Sequence, residues 1–172
     1  MKKIKINDIT QIALAAAFIA LCSLISIPTT PPITLQTFAV FCIAALFGAK
    51  KGVLATLVYL VLGAAGLPVF SAFRGGIGHL FSQTGGYLLA LIAAAFIVGL
   101  WKNRKISLLA ALAVVATIVI YTAGTVWFAL FYGSGMGITE LIMTCVVPFL
   151  IPDTVKTALA IALIRRLSRK LR

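Results

Sequence analysis

Long apolar runs, each closed by a short cluster of Lys or Arg, leave this chain few folds to choose from. Charged residues make up 10% of it and hydrophobic residues 62%. Ordinary soluble domains hold about 25% charged and about 45–50% apolar residues. A core in water does not need so much apolar surface, whereas helices that face lipid do. The sequence therefore predicts an all-α integral membrane protein, and its 172 residues allow a single domain.

A helix that crosses the bilayer needs about 20 apolar residues, within a range of roughly 17–25. Six stretches qualify or come close: residues 9–27, 34–49, 52–66, 80–101, 106–132 and 141–166. The second and third are short for full spans. Pro28, Pro31 and Pro32 enforce an extended loop after the first. Pro148 and Pro152 are expected to break the last stretch into a leading segment and a helix proper. The N-terminal Met1-Lys2-Lys3-Ile4-Lys5 followed by an apolar run could start a signal peptide. The run is long enough to span and has no clear small-residue cleavage site, so it reads as a retained first helix.

Orientation follows from the cations. Alternating across six spans from a cytoplasmic N-terminus collects Lys2, Lys3, Lys5, Lys50, Lys51, Lys102, Arg104, Lys105, Arg165, Arg166, Arg169, Lys170 and Arg172 on one side, 13 of the 15 Lys and Arg. Arg74 and Lys156 remain on the other. The positive-inside rule then puts both termini in the cytoplasm. The same distribution explains the net charge of +12 without nucleic acid, because the cations lie in separate clusters rather than on one face.

With three acidic residues in the whole chain, each carries information. Asp8 fits a first-turn position, where the helix dipole favours an anion. Glu140 falls in an outer loop and is expected to be solvated. Asp153 stands in Ile151-Pro152-Asp153-Thr154-Val155-Lys156, three residues before Lys156, so the two share a helix face. They can form a structural ion pair with a cap or a ligand site. The cost of keeping charge near hydrocarbon favours the site, since apolar packing would serve stability as well.

Arg74, in Phe73-Arg74-Gly75-Gly76, is the only outer-loop cation. It reads equally as a solvated charge or as a carboxylate fork. Gln36 opens the second helix and suits a cap or an interhelical hydrogen bond better than a ligand contact. His79 is the single histidine and reads as an interfacial residue, one imidazole being too few for a metal cluster. Cys22, Cys42 and Cys145 are scattered thiols with no CxxC pair, which suit packing. In the first helix, Ala13/Ala17 and Ala16/Ala20 make a small-residue stripe that permits close helix approach. The sequence carries no G-x-x-x-x-G-K-[ST] phosphate loop, no H-E-x-x-H motif and no Ser-His-Asp set, so no enzyme constellation emerges.

Several blocks taken together resemble the BioY family, the biotin-binding S-components of energy-coupling factor (ECF) vitamin transporters. They are Pro32-Ile33-Thr34-Leu35-Gln36-Thr37-Phe38, the run from Tyr59 through Gly66-Leu67-Pro68-Val69-Phe70, Thr84-Gly85-Gly86-Tyr87, and Pro148-Phe149 with Pro152-Asp153 and Lys156. The chain departs at Phe81-Ser82-Gln83, where a Gly-Pro pair is expected of the family. The resemblance implies a six-helix bundle in a prokaryotic cell membrane that captures biotin from outside. It also implies a transmembrane coupling protein and two cytoplasmic ATPases as partners, with biotin as cargo and no cofactor. It makes Ala13, Ala16, Ala17 and Ala20 the docking face for the coupling protein. On this reading Asp153 accepts the ureido N–H groups and Lys156 pairs with it and donates to the ligand. Arg74 or nearby backbone N–H groups meet the carboxylate, and Gln36, Tyr87 and Phe73 line the pocket; biotin bound with its two ends exchanged is the alternative orientation. An S-component for another small vitamin, or a small channel, is the alternative.

Overall fold

The computed structural model describes residues 6–29, 31–101 and 105–170. Lys2, Lys3, Lys5, Lys102, Arg104 and Arg172, which helped set the expected orientation, lie outside the described residues, and the side chains of Arg169 and Lys170 are likewise not described.

Helix α1 covers Ile6–Leu24, α2 Gln36–Ala64, α3 Ile77–Leu80, α4 Gly85–Gly99, α5 Ile106–Phe131, α6 Ile138–Cys145 and α7 Val147–Lys170. Between α1 and α2, two short strands, β1 (Ser26–Ile27) and β2 (Ile33–Thr34), pair antiparallel with Ser26 opposite Thr34. Among the described residues, Ile6–Leu24, Ile106–Phe131 and Ile138–Ser168 are long and apolar enough to cross a membrane, as is Gln36–Ala64 when measured along its whole length. Their outer faces carry exposed Leu14, Val61, Val114, Ile118, Leu130 and Leu159, as lipid contact requires.

The two short spans expected at 34–49 and 52–66 are the arms of one reversed helix. Within α2, Gly48 has φ +82° and ψ 168°, a region open essentially to glycine alone. A methyl group on Gly52 would lie 2.8 Å from the Ala44 Cα. In a straight helix residues eight apart are separated by about 12 Å, so the chain doubles back at Gly48. The bundle thus contains six long helical segments: α1, the two arms of α2, α4, α5 and α7. The first arm is central, with Ala39, Val40, Phe41 and Ala44 almost fully buried. Added side-chain volume at Gly48 meets nothing within 4 Å. Gly48→Ala should therefore cost about 1–3 kcal/mol through backbone strain alone. A melting temperature equal to that of the parent protein would refute the reversal.

Contacts at the reversal fix which ends come together. The Lys51 ammonium lies 2.6 Å from an Asp8 carboxylate oxygen and donates to Gln11 Oε1 at 2.6 Å. Asp8 is thus an interhelical ion-pair partner as well as a first-turn anion. Gly99 packs so closely on Ala49 that a methyl group there would sit 2.3 Å from the Ala49 Cα. Trp101 Nε1 donates to the Lys105 carbonyl at 3.0 Å and closes the turn into α5.

Pro152 does not break the last helix. It lies inside α7, and the break falls at Val146, whose φ of −125° ends α6. Pro148 then occupies the first turn of α7, where a missing N–H costs nothing. Pro152 lies past the first turn, and α7 continues through it at the loss of the one hydrogen bond its missing N–H would have made. Glu140 is not simply solvated: it accepts from the Gly137 N–H at 3.2 Å and caps α6.

Candidate functional site

At the end of the bundle opposite Lys51, the strand loop, α2, α4, α5 and α7 surround a chamber. Helix α7 supplies its charge. Asp153 and Lys156 project to one face as their three-residue spacing dictates, form an ion pair, and are only 8% and 6% exposed. Lys156 Nζ also donates to the Thr34 carbonyl at 2.8 Å, tying α7 to β2. Tyr121 on α5 donates to the second Asp153 oxygen at 2.7 Å. An ionised carboxylate offers about four lone-pair positions, so Asp153 retains acceptor capacity for a ligand.

Gln36 begins α2 and is 6% exposed, and its Nε2 has no hydrogen-bond partner among the described residues. Buried polar groups are nearly always paired, so an amide left open at a cavity wall is suited to a ligand. The apolar walls are Leu88, Leu91, Ile120, Phe149 and the Tyr87 ring. The Tyr87 hydroxyl is already committed, donating to the Cys145 carbonyl at 2.9 Å. Tyr87 thus offers a ring face, and Gly124 makes room for that ring, since a methyl group there would meet it at 2.3 Å.

The chamber opens into a wider vestibule walled by Pro28, Thr29, Arg74, Gln83 and Tyr132 among others. Pro31, Pro32, Ser71, His79 and Thr84 border both spaces and form the neck between them. The structure therefore brings Asp153, Lys156, Gln36 and Tyr87 around one cavity, sets Arg74 at the next, and leaves Phe73 out of both. The Phe73 ring is 69% exposed. Its backbone explains this: Ala72 and Phe73 both take positive φ (56° and 57°), and the Phe70–Arg74 bridge closes the turn so that position 73 points away.

Two residues of the site escaped sequence reasoning. Tyr121 is one aromatic in an apolar helix, and no local signal distinguishes it. His79 is not merely interfacial. Its ring stacks on buried Phe70 with centroids 5.1 Å apart, and Phe70 meets Tyr59 edge-on at 5.5 Å. Tyr59 in turn shares a buried 2.9 Å hydrogen bond with Ser23 of α1. Burial, and secondarily the Arg74 guanidinium, lower the His79 pKa from its ordinary value, so the neck is uncharged near pH 7. At the Phe81-Ser82-Gln83 departure, the Ser82 hydroxyl sets the turn. It donates to the His79 carbonyl at 2.6 Å, and the Thr84 N–H reaches it at 3.4 Å.

The small-residue stripe of α1 divides. Ala13 and Ala17 are exposed, Ala20 is half-buried, and Ala16 is 2% exposed and belongs to the core. The pair Ala16/Ala20 is rotated about 60° from Ala13/Ala17 at 100° per residue, enough to carry Ala16 onto the inward face with Ile19. Ala16 is therefore not available to a partner as the sequence suggested.

A model of the BioY family matches residues 1–172 of this chain. Among curated relatives, the probable biotin transporter BioY of Pyrococcus horikoshii is 40% identical, the match covering 91% of this chain and 95% of that protein. The biotin transporter BioY of Thermotoga maritima is 39% identical, over 95% and 96% of the two chains. Among solved structures, the crystal structure of the S-component for biotin from an ECF-type ABC transporter superposes with a TM-score of 0.85 at 25% identity, covering 98% of this chain and 94% of that one.

Proposed function

The chain belongs to the BioY family, and from that premise we propose that it is the membrane subunit that captures biotin outside a prokaryotic cell for ATP-driven uptake by an ECF transporter. The observation that carries the reading is the buried Asp153–Lys156 pair, bonded to Tyr121 and Thr34 inside the chamber. Biotin joins an apolar fused ring to a ureido group, with two N–H donors and one carbonyl, and to a valerate carboxylate. Asp153 accepts the ureido N–H groups through its open lone pairs. Lys156 and the unpartnered Gln36 amide donate toward the ureido carbonyl. Tyr87 and Phe149 wall the rings, and Arg74 attracts the carboxylate from the vestibule.

The subunit acts by binding rather than catalysis, as one domain over residues 1–172. Both termini lie in the cytoplasm, because Lys50, Lys51, Lys105, Arg165 and Arg166 belong to the basic side. The sequence has no phosphate loop, so the energy comes from two cytoplasmic ATPases through a transmembrane coupling protein. Exposed Ala13 and Ala17, with half-buried Ala20 at their edge, form the surface that meets that protein.

Calorimetry on the purified protein without ATP tests the ligand. Biotin should bind stoichiometrically, and riboflavin and thiamine should give no heat at the same concentrations. Preference for either of those two would assign the chain to a different vitamin.

A further inference from the structure

We propose that the vestibule is a second ligand station, which admits biotin extended through its carboxyl group as an amide, such as biotin joined to the ε-amine of lysine. The proposal rests on the biotin reading above and adds a ligand class to it.

Continuity and chemistry carry it. A ring system seated against Asp153 and Lys156 directs its side chain to the neck, where Pro31, Pro32, Ser71, His79 and Thr84 wall both spaces. Beyond the neck the vestibule continues from the chamber, walled by Thr29, Arg74, Gln83 and Tyr132 among others.

The neck does not demand a charged terminus. His79 is uncharged there, the two prolines have no N–H, and Ser71 and Thr84 offer hydroxyls. Hydroxyls both donate and accept, so they can satisfy the single N–H and C=O of a secondary amide. The vestibule beyond has polar side chains in Thr29, Ser82, Gln83 and Tyr132, the Arg74 guanidinium, and no acidic side chain among the residues that wall it. In the conjugate the valerate carboxylate has become the amide, which frees the Arg74 fork for the α-carboxylate that a lysine conjugate carries.

Calorimetry with biotin and with biotinyl-lysine, on the full chain and on Gln83→Trp, tests the idea. Gln83 lines only the vestibule, so its indole replacement fills that space and leaves the chamber alone. Both ligands should bind the parent protein within roughly tenfold of each other, a difference near one decade on the affinity scale. Gln83→Trp should keep biotin affinity and lose at least about tenfold for biotinyl-lysine. If biotin binds the parent protein and biotinyl-lysine does not compete, the vestibule is no ligand station. An equal loss of both ligands in Gln83→Trp would also overturn it, because the two spaces would then not be separable. Failure of biotin itself to bind would instead bring down the underlying reading.

Discussion

Asp153→Ala should weaken biotin binding by at least roughly 10- to 150-fold, the effect of about 1.5–3 kcal/mol for a charge-assisted hydrogen bond lost from a buried site. The alanine also leaves Lys156 with only the Thr34 carbonyl and Tyr121 without its acceptor, which adds to the cost. Asp153→Asn keeps the shape but not the polarity. Its NH₂ either opposes the Lys156 ammonium or makes the Tyr121 hydroxyl turn to accept, and in both cases the charge is lost, so it should lose affinity to a comparable degree. Affinity and melting temperature measured on the same purified variants separate two roles. Weak binding with an unchanged melting temperature marks Asp153 as a ligand group. Normal binding by a destabilised protein would make it a structural ion pair and move the search for the ureido acceptor elsewhere.

Ala17→Trp should abolish energised biotin uptake in cells that supply the coupling protein and ATPases, with biotin affinity unchanged in detergent. Ala17 is exposed on α1, so the indole costs the isolated fold little while holding a partner helix away. Ala16→Trp is a contrasting variant. It forces an indole into a position that is 2% exposed, where overpacking costs about 1–3 kcal/mol or more, and it should lower the melting temperature before any docking effect is read. Full uptake by Ala17→Trp would show that this face meets only lipid.

The charges were the part of the site most legible in the sequence. Asp153 and Lys156 stand out because an apolar run makes any ionisable group conspicuous, and a spacing of three fixes their common face. Tyr121 was invisible, since its contact with Asp153 spans 32 residues of chain and tyrosine is unremarkable in an apolar helix. Gln36 was read as lining the pocket, but its unpartnered amide depends on tertiary packing and could not be foreseen. The alanine stripe shows the complementary difficulty. Periodicity groups Ala13 with Ala17 and Ala16 with Ala20, but only the neighbouring arm of α2 decides which pair faces inward. In the fold, Lys50-Lys51 separated two segments correctly, while the reversal itself depends on Gly48, one of 14 glycines. Pro152 reads as a break because proline is disruptive in a helix interior, yet α7 continues through it.

The doubling back at Gly48 bears on how the chain enters its membrane. At 1.5 Å per residue the first arm, residues 36–47, is about 18 Å long and the second, residues 49–64, about 24 Å. The hydrocarbon layer is about 30 Å thick, so neither arm is long enough to halt in it alone. The pair must be released into the bilayer as one hairpin, with Lys50-Lys51 at its tip too costly to drag through. The central, most buried strut of the bundle is therefore the part least able to be inserted stepwise. Its residence in the bilayer depends on the neighbours that close around it, and assembly of the bundle and insertion of the chain become a single event.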